Sequence, residues 1–486
     1  ILILALLLSI FYRTTVIYIV VFIKLGEFSM RPWDESMFAV NTYEMMHNGK
    51  YFSNYFNGHI DICNTKPLLT IWTQIIFVKL FGYNELALRL PSAIAATLVI
   101  LIIFVFIYKK YSPIWAWISA LIILTSSGFI SFHTARTAEA DSILTLFLLL
   151  TNLYFIKFLT EEKKQNILLF FVYLTLAFAT KMFASLLFIP AYILLLIINK
   201  KLKNFAYSMN FLFGTLLFFI VNFGLILLKN QDNPGYLYEI FNKDAGRMLR
   251  VVENHKEIFS YYVDGLIMNR FSVWFTLLMF GFVFVFISKV EKEKKILLMT
   301  TILLVSYFLV ISISVTKLQW YDMPLFPFMA LIAAYPIYFI INWFLNSKPA
   351  KSGFKVSLII ISVFAYPYYM MFRQSQENGL NSFEKNNEAS ERYLFKKNIE
   401  HVNLDGIKVF YTGYNGSLLF YKYKMQEMGQ NIELVCSENF NDNDKVLVSN
   451  DSLKKCIKKD YVNKIIDNND NADLIQIISK TNLPTH

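Results

Sequence analysis

Long apolar runs separated by short polar loops dominate the chain. Runs that reach or approach the roughly 20 residues of a spanning helix lie at 1–23, 90–108, 113–131, 141–159, 205–228, 271–288, 296–313, 322–345 and 355–372. Two shorter runs share 166–199 and meet near Lys181. The pattern predicts a mainly α fold, a polytopic transmembrane helical bundle of about eleven spans.

The apolar segment 68–80 decides the predicted sidedness. With about 13 residues it is too short to cross a bilayer, so we expect a helix that lies in the membrane interface. Run 1–23 lacks a small-residue cleavage site and is expected to be a retained span with a cytoplasmic N-terminus. The lysine-bearing loops at 109–110, 161–164, 200–203, 289–295 and 348–355 then all share the inner side, as the positive-inside rule requires. Segments 24–89, 133–140, 229–270 and 314–321, the short turn at Lys181, and everything after about residue 373 then fall outside.

The tail changes character at Arg373, where Asn, Asp, Lys and Glu replace the apolar runs. This shift predicts a boundary between a membrane domain, 1–372, and an extracytoplasmic domain, 373–486. Helical patterns at 384–400, 415–428 and from Asp451 alternate with strand-like segments at 407–412, 432–436, 445–449 and 473–478. We expect a small α/β domain, and its lack of a Gly-rich phosphate loop favours a cap or docking role.

Composition agrees with a membrane protein. Hydrophobic residues make up 56% of the chain, with 47 Phe and 29 Tyr, and a soluble core does not absorb that much apolar surface. The net charge of +11 lies in the short lysine loops, so it indicates orientation rather than nucleic-acid binding. Cys63, Cys436 and Cys456 are too few for a disulfide framework, and a bridge between the last two stays open.

Several charged and polar side chains from distant parts of the chain are predicted to meet at the outer membrane edge. They are Asp34, Glu35, Lys66, Arg136, Glu139, Asp141, Lys181, Lys317 and Tyr321. Such a convergence of acids and bases is typical of a water-accessible catalytic cavity.

The acids have both catalytic and structural interpretations. Asp34 and Glu35 follow Trp33 in the first outer loop, where a carboxylate could take a proton from an acceptor hydroxyl or cap a helix that begins near Ser36. Asp141 opens a span and either orients the acceptor or the base, or stabilises a helix N-terminus. Glu139 is expected to be solvated.

The cations suit a lipid phosphate. Lys66, Arg136 and Lys317, with the hydroxyl of Tyr321, are candidates for contact with a phosphate at headgroup depth, and snorkelling lysines or an aromatic-belt tyrosine are the alternatives. Arg136 could instead neutralise Asp141. The 6 histidines show no paired metal-ligand spacing. No metal site, cofactor or nucleotide-binding loop is predicted, so an activated donor must come from elsewhere.

Ordered motifs resemble the membrane glycosyltransferases of the GT-C superfamily. They are WDE, NTKPLLTIW, FGYNELALRLPSA, TARTAEADSILTLF, LAFATKMFASLLFIPA and VTKLQWYDMPLFPFMALIAA, within 30–372. The most similar groups are the protein O-mannosyltransferases and the aminoarabinose transferases that modify lipid A. The resemblance implies transfer of a sugar, with inversion, from a polyprenyl-phosphate carrier to an acceptor outside the membrane.

The resemblance also implies residue roles. Asp34 is similar to the acid of the DE motif that serves as base, Lys66 to the carrier-binding lysine of a KPP motif, and Lys317 with Tyr321 to the later part of the phosphate site. Two departures stand out. Met37 and Phe38 replace the Arg and Tyr of a DExRYA motif, and Thr65 stands where aminoarabinose transferases carry Glu, which weakens both a metal site and that specific activity.

The sequence therefore predicts a glycosyltransferase, integral to a bacterial inner membrane, with its site and tail on the periplasmic side. Its partners would be a polyprenyl-phosphate sugar, a lipid, glycan or protein acceptor, and membrane lipids. An oligosaccharide ligase and a lipid or polysaccharide transporter are the alternatives. A transporter is expected to show repeated halves and acids near the bilayer midplane, whereas these acids lie at edges.

The topology can be tested by cysteine labelling. In a chain whose Cys63, Cys436 and Cys456 are replaced by Ser, a membrane-impermeant thiol reagent applied from outside is expected to label Asn242→Cys, in an outer segment. It is expected to leave Lys292→Cys, in a lysine loop, unlabelled until the cells are opened. The reverse pattern would place every predicted site residue on the inner side.

Overall fold

The helices of this computed structural model follow the apolar runs. The structure describes residues 16–62, 64–131, 133–251, 254–347, 352–377, 389–469 and 471–481. Within them, six helices are long and apolar enough to cross a membrane: Glu85–Lys110, Asp141–Glu161, Gln165–Leu186, Met209–Asp232, Glu291–Ile313 and Gln319–Asn346. Shorter apolar helices are Leu69–Phe81, Pro113–Leu124, Ile189–Ile198 and Ser272–Ile287. The mainly helical fold class is confirmed. Most of run 1–23 lies outside the described residues, so the count of spans stays a prediction.

The remaining elements are mostly short connections. Helices also occupy Asp34–Asn48, Ser127–Ile130, Leu202–Ala206, Tyr236–Glu239, Tyr261–Gly265 and Ser352–Glu377, and 3₁₀ turns occupy Met182–Leu186, Gly246–Met248 and Gln319–Leu325. Segments Ile240–Ala245 and Leu266–Arg270 are π-helical. Strands β1, Tyr55–Phe56, and β2, His59–Ile60, form a small hairpin.

The helix Leu69–Phe81 has the length expected for segment 68–80. It runs for 13 residues, about 20 Å at 1.5 Å per residue, which is shorter than a hydrocarbon core. It ends at Gly82, whose φ of 80° suits a residue without Cβ. The next helix starts at once, because Asn84 accepts a hydrogen bond from the amide of Ala87 at 2.9 Å. That Leu69–Phe81 lies in the interface stays a prediction.

The chain divides into two compact units. The first comprises Ile1–Ile23, Ile60–Thr70 and Leu90–Glu377. Its helices approach closely where residues are small, as in other membrane bundles: a Cβ added at Gly281 would lie 2.4 Å from the carbonyl oxygen of Ile332. On another face of the helix that carries Ile332, the indole of Trp115 donates to the Leu331 carbonyl at 2.9 Å, so this buried polar group is satisfied.

The second unit comprises Lys24–His59, Ile71–Arg89 and Asn378–His486. The tail therefore falls in the same compact unit as the segment that carries Asp34. Its helices are Ala389–Ile399, Gly416–Glu427 and Asp451–Asp460, and its strands are β3 Lys408–Phe410, β4 Glu433–Val435, β5 Lys445–Val448, β6 Tyr461–Asn469 and β7 Ala472–Lys480. The strand order is β4-β3-β5-β7-β6.

The sheet is mixed. β3 pairs in parallel with β4 and β5, while β7 runs antiparallel to β5 and β6. Val446, Val448, Ile475 and Ile477 form its core with the helix that carries Leu453. The α/β character is as predicted, but β6 was missed.

Strand β6 escaped prediction because its sequence, YVNKIIDNN, is rich in Asn, Asp and Lys, which are depleted in strands. It is an edge strand with two register shifts against β7. Polar residues and bulges on an edge discourage pairing with another chain, so tertiary position explains the composition. Cys436 and Cys456 are free thiols, and Cys63 lies outside the described residues.

Candidate active site

A cavity of about 180 Å³ in the first unit brings together several predicted site residues. Its polar lining includes Lys66, Asp141, Lys181, Arg247 and Tyr321, and its apolar lining includes Leu144, Leu187, Val310, Leu318 and Pro324. Three cations against one acid leave the lining with a net positive charge. The combination suits an anionic group attached to an apolar chain.

Asp141 and Lys181 form an ion pair at this cavity. The Lys181 Nζ lies 2.7 and 2.9 Å from the two carboxylate oxygens of Asp141. Asp141 begins one helix and Lys181 ends the next, so each charge also has the sign that its helix terminus favours. The partner of Asp141 is thus Lys181 rather than Arg136.

Arg247 was not predicted, because nothing in the polar segment 229–270 distinguishes it from other cations. Its Nη1 donates to the hydroxyl oxygen of Tyr321 at 2.6 Å. Two side chains of the segment 314–316 hold the backbone at Arg247 in place. Ser314 Oγ donates to the Arg247 carbonyl at 3.1 Å, and Thr316 Oγ1 donates to the Arg250 carbonyl at 2.7 Å. Arg247 and Tyr321 therefore face the cavity from a fixed framework.

Lys66 lies in a loop whose backbone carbonyls accept hydrogen bonds from buried side chains. The Nζ of Lys229, only 2% exposed, donates to the carbonyls of Asn64 at 3.1 Å and Lys66 at 2.8 Å. The hydroxyl of Tyr236 donates to the Thr65 carbonyl at 3.1 Å. Because the main chain of this loop is fixed by buried donors, the Lys66 side chain is positioned along the cavity wall.

Lys317 and Arg136, predicted with Lys66 and Tyr321 as phosphate contacts, are not among the residues that line this cavity. The Lys317 Nζ donates to the carbonyls of Ser314 at 2.6 Å and Glu257 at 3.0 Å, and burial lowers the pKa of this ammonium group. Arg136 donates at 3.0 Å to the carbonyls of Val20, Val21, Ile23 and Ser375. Both cations hold backbone together.

Glu139 was expected to be solvated, and that was wrong. Its carboxylate is 2% exposed and is paired with the imidazole of His133. The His133 ring stacks on Trp320 with centroids 3.5 Å apart, and Trp320 lines the cavity. The acid thus orients an aromatic stack, since a paired imidazole keeps a fixed ring plane.

In the second unit Glu35 belongs to a buried ion pair with Arg89. The two side chains are 0% and 1% exposed, and Nε and Nη2 of Arg89 lie 2.8 and 3.0 Å from the carboxylate oxygens. Arg89 also donates to the carbonyls of Leu25, Phe28 and Ser29, and the Arg31 amide donates to Glu35. A carboxylate committed to this network is poorly placed to accept a substrate proton, so the network favours the structural interpretation of Glu35 over the catalytic one.

Asp34, in contrast, is half-buried at the first residue of the helix Asp34–Asn48. Trp33 occupies the N-cap position with φ of 65°, a strained conformation for a non-glycine residue. Its ring stacks on Tyr414 with centroids 4.7 Å apart, and its carbonyl accepts from the Tyr414 hydroxyl at 3.1 Å. The tail domain therefore holds the backbone that directs Asp34, and Asp34 itself is not the helix cap.

Comparison with known sequences gives relatives of limited coverage. A sequence model of the dolichyl-phosphate-mannose-protein mannosyltransferase family matches residues 65–226. An uncharacterized protein of Aquifex aeolicus is 26% identical over 71% of this chain and 65% of its own length. The provisionally named mannosyltransferase YycA of Bacillus subtilis is 26% identical over 31% of this chain and 22% of its own length. The matches thus span less than two thirds of these relatives.

Comparison with solved structures establishes the fold. ArnT from Cupriavidus metallidurans, crystallised with undecaprenyl phosphate, superposes with a TM-score of 0.70 at 13% identity, covering 96% of this chain and 98% of ArnT. The oligosaccharyltransferase of Archaeoglobus fulgidus superposes with a TM-score of 0.53 at 12% identity, covering 84% of this chain and 62% of the oligosaccharyltransferase. The GT-C likeness predicted from the motifs is confirmed at the level of fold.

The Glu35–Arg89 pair yields a stability prediction. Glu35→Ala leaves a buried guanidinium without its counter-charge, which costs about 3–5 kcal/mol, so the midpoint of thermal unfolding in detergent is expected to fall sharply. Glu427→Ala is the matched control in the same unit, because that acid is 44% exposed and its ion pair with His47 is long, at 3.7 Å. Equal midpoints for the two variants would contradict a structural role for Glu35.

Proposed function

We propose that this protein is an inverting glycosyltransferase that moves a sugar from a polyprenyl-phosphate carrier to an acceptor hydroxyl at the outer edge of the membrane. The observation that carries the proposal is the cavity in the first unit, where Lys66, Lys181, Arg247 and Tyr321 face apolar walls. Cationic and hydroxyl donors suit a phosphate, and the apolar walls suit the carrier chain attached to it.

The cavity supplies what the leaving group needs. When the bond between the anomeric carbon and the phosphate oxygen breaks, negative charge grows on the phosphate. Preorganised donors that face this charge lower the barrier more than they stabilise the ground state. We assign this role to Lys66, Arg247 and Tyr321, with Lys181 held in place by Asp141. The undecaprenyl phosphate in the structure of ArnT supports a carrier of this class.

The acceptor needs a base, and we assign that role to Asp34. Its carboxylate would take the hydroxyl proton as the acceptor oxygen attacks the anomeric carbon from the face opposite the phosphate. Two observations support Asp34 over its neighbour: Glu35 is fully buried against Arg89, and Asp34 is half-exposed at a helix start. Asp141, paired with Lys181, acts as a positioning residue instead of a proton acceptor.

We place the reaction on the periplasmic side of a bacterial inner membrane, with a lipid, glycan or protein as acceptor, from the lysine pattern of the opposite loops. The test is to incubate the purified protein with a panel of polyprenyl-phosphate and polyprenyl-diphosphate donors carrying single sugars or oligosaccharides, and to follow release of the carrier. Release from a monophosphate donor supports this proposal, release from an oligosaccharide diphosphate alone would make the protein a ligase, and release from neither would overturn both.

Carrier binding gives a prediction that separates cavity cations from structural ones. Lys66→Ala and Arg247→Ala each remove a charge-assisted contact worth about 1.5–3 kcal/mol, so the donor KM is expected to rise about 10–100-fold. Lys317→Ala, which loses only carbonyl contacts, is the control, with a lower unfolding midpoint and an unchanged donor KM. If Lys317→Ala raised KM as much as Lys66→Ala, the assignment of the cavity would be wrong.

The assignment of Asp34 as the base gives a prediction about turnover. Asp34→Asn keeps the size of the side chain and removes its ability to accept a proton, so kcat is expected to fall about 100-fold or more while the donor still binds. Asp141→Asn is expected to reduce kcat less. Near-normal turnover of Asp34→Asn would contradict the mechanism. An inactive Glu35→Gln variant that remains folded would then identify Glu35 as the base.

A further inference from the structure

A second and larger cavity, of about 620 Å³, lies elsewhere in the first unit. It is formed by the end of the helix Glu85–Lys110, the end of Asp141–Glu161 and the start of Glu291–Ile313. The proposed catalytic cavity contacts the opposite ends of the last two helices, at Asp141 and at Ile311. The two cavities are therefore separated by the length of those helices.

That length matches a membrane. Asp141–Glu161 has 21 residues, which at 1.5 Å per residue is about 30 Å, the thickness of a bilayer hydrocarbon core. A lipid-linked donor in the first cavity and a ligand in the second would thus lie in opposite leaflets. With the donor placed as proposed above, the second cavity would lie at headgroup depth of the leaflet that does not supply the donor.

The lining of the second cavity is basic and partly apolar. The lining contains five lysines, at positions 110, 157, 292, 294 and 295, and two acids, Glu161 and Glu291. Its positive charges therefore exceed its negative charges by three. Lys110 pairs with Glu161, Lys292 donates to the Lys110 carbonyl, and Lys157 lies 4.4 Å from the centroid of the Tyr154 ring. Lys294 is half-buried and Lys295 is exposed. Both lie near the start of a helix, where the helix dipole also favours an anion.

Two features separate this arrangement from lysines that only orient the chain. The lysines border a concave space, and apolar side chains such as Phe106, Ile156 and Ile296 share its wall. A free phosphate gains nothing from apolar walls, whereas a phospholipid can place its phosphodiester among the ammonium groups and its acyl chains along the helices.

We propose that this second cavity binds the headgroup of an anionic phospholipid in the leaflet opposite the donor. The site is independent of the transfer reaction, since its ligand is not consumed. Basic pockets between helix ends attract such headgroups at about 1 kcal/mol for each lysine near the surface.

Native mass spectrometry of the full chain released from nanodiscs tests the site. Phosphatidylglycerol is expected to remain bound in preference to phosphatidylcholine, and millimolar inorganic phosphate is not expected to displace it. The double variant Lys157→Gln with Lys294→Gln is expected to bind phosphatidylglycerol about 30-fold more weakly, while Lys157→Arg with Lys294→Arg retains the lipid.

The control is Lys200→Gln with Lys203→Gln, which removes the same charge from exposed residues of another lysine loop. Unchanged binding in the control supports a defined site. Equal loss in control and cavity variants, equal retention of both lipids, or displacement by inorganic phosphate would each overturn the proposal. The arginine variant is the control for misfolding. If it loses the lipid and also unfolds at a lower temperature, the substitutions at 157 and 294 damage the fold. The double variant Lys294→Gln with Lys295→Gln then replaces them in the same measurement, with the same expected loss.

Discussion

Each cation inside an apolar helical bundle needs a compensating partner, and this constraint organises the first unit. A buried ammonium or guanidinium group without a partner costs several kcal/mol. Asp141 and Lys181 meet the requirement by pairing across the ends of two antiparallel neighbours, where helix dipoles favour both charges. Asp322, fully buried, does the same for Arg270 at 2.5 and 3.0 Å, and so anchors the 3₁₀ turn Gln319–Leu325 that carries Tyr321.

The kind of partner separates structural cations from candidate functional ones. Lys229, Lys317 and Arg136 spend their donors on backbone carbonyls, and each thereby joins segments that are distant in sequence. Lys66, Lys181 and Arg247 instead face the cavity. This division explains why a positively charged cavity can exist in the bundle: the structural cations fix the loops, and the fixed loops hold the cavity cations close to one another despite their mutual repulsion.

Periodicity and length predicted the helices, the short helix Leu69–Phe81 and the α/β character of the tail, because burial in lipid or in a sheet core imposes them locally. The predicted topology put Lys66, Asp141, Lys181 and Tyr321 at one membrane edge, and the cavity brings those four together. It could not separate Lys317 from Lys66, or Glu35 from Asp34, because the difference lies in partners such as Ser314 and Arg89 that are set by tertiary contacts. Arg247 had no local signal, and strand β6 follows from its edge position rather than from β propensity.

The Glu35–Arg89 pair and the stack of Trp33 on Tyr414 of the tail together fix the segment around Asp34. Arg89 ties the chain at Leu25, Phe28 and Ser29 to Glu35, which fixes the loop before Asp34 from one side. Tyr414 fixes the Trp33 carbonyl from the other. A residue at φ of 65° persists only where its surroundings over-determine it, and here those surroundings come partly from the tail. The direction of the Asp34 carboxylate is therefore a property of the second unit, so changes in the tail that loosen Tyr414 are expected to act on the proposed base.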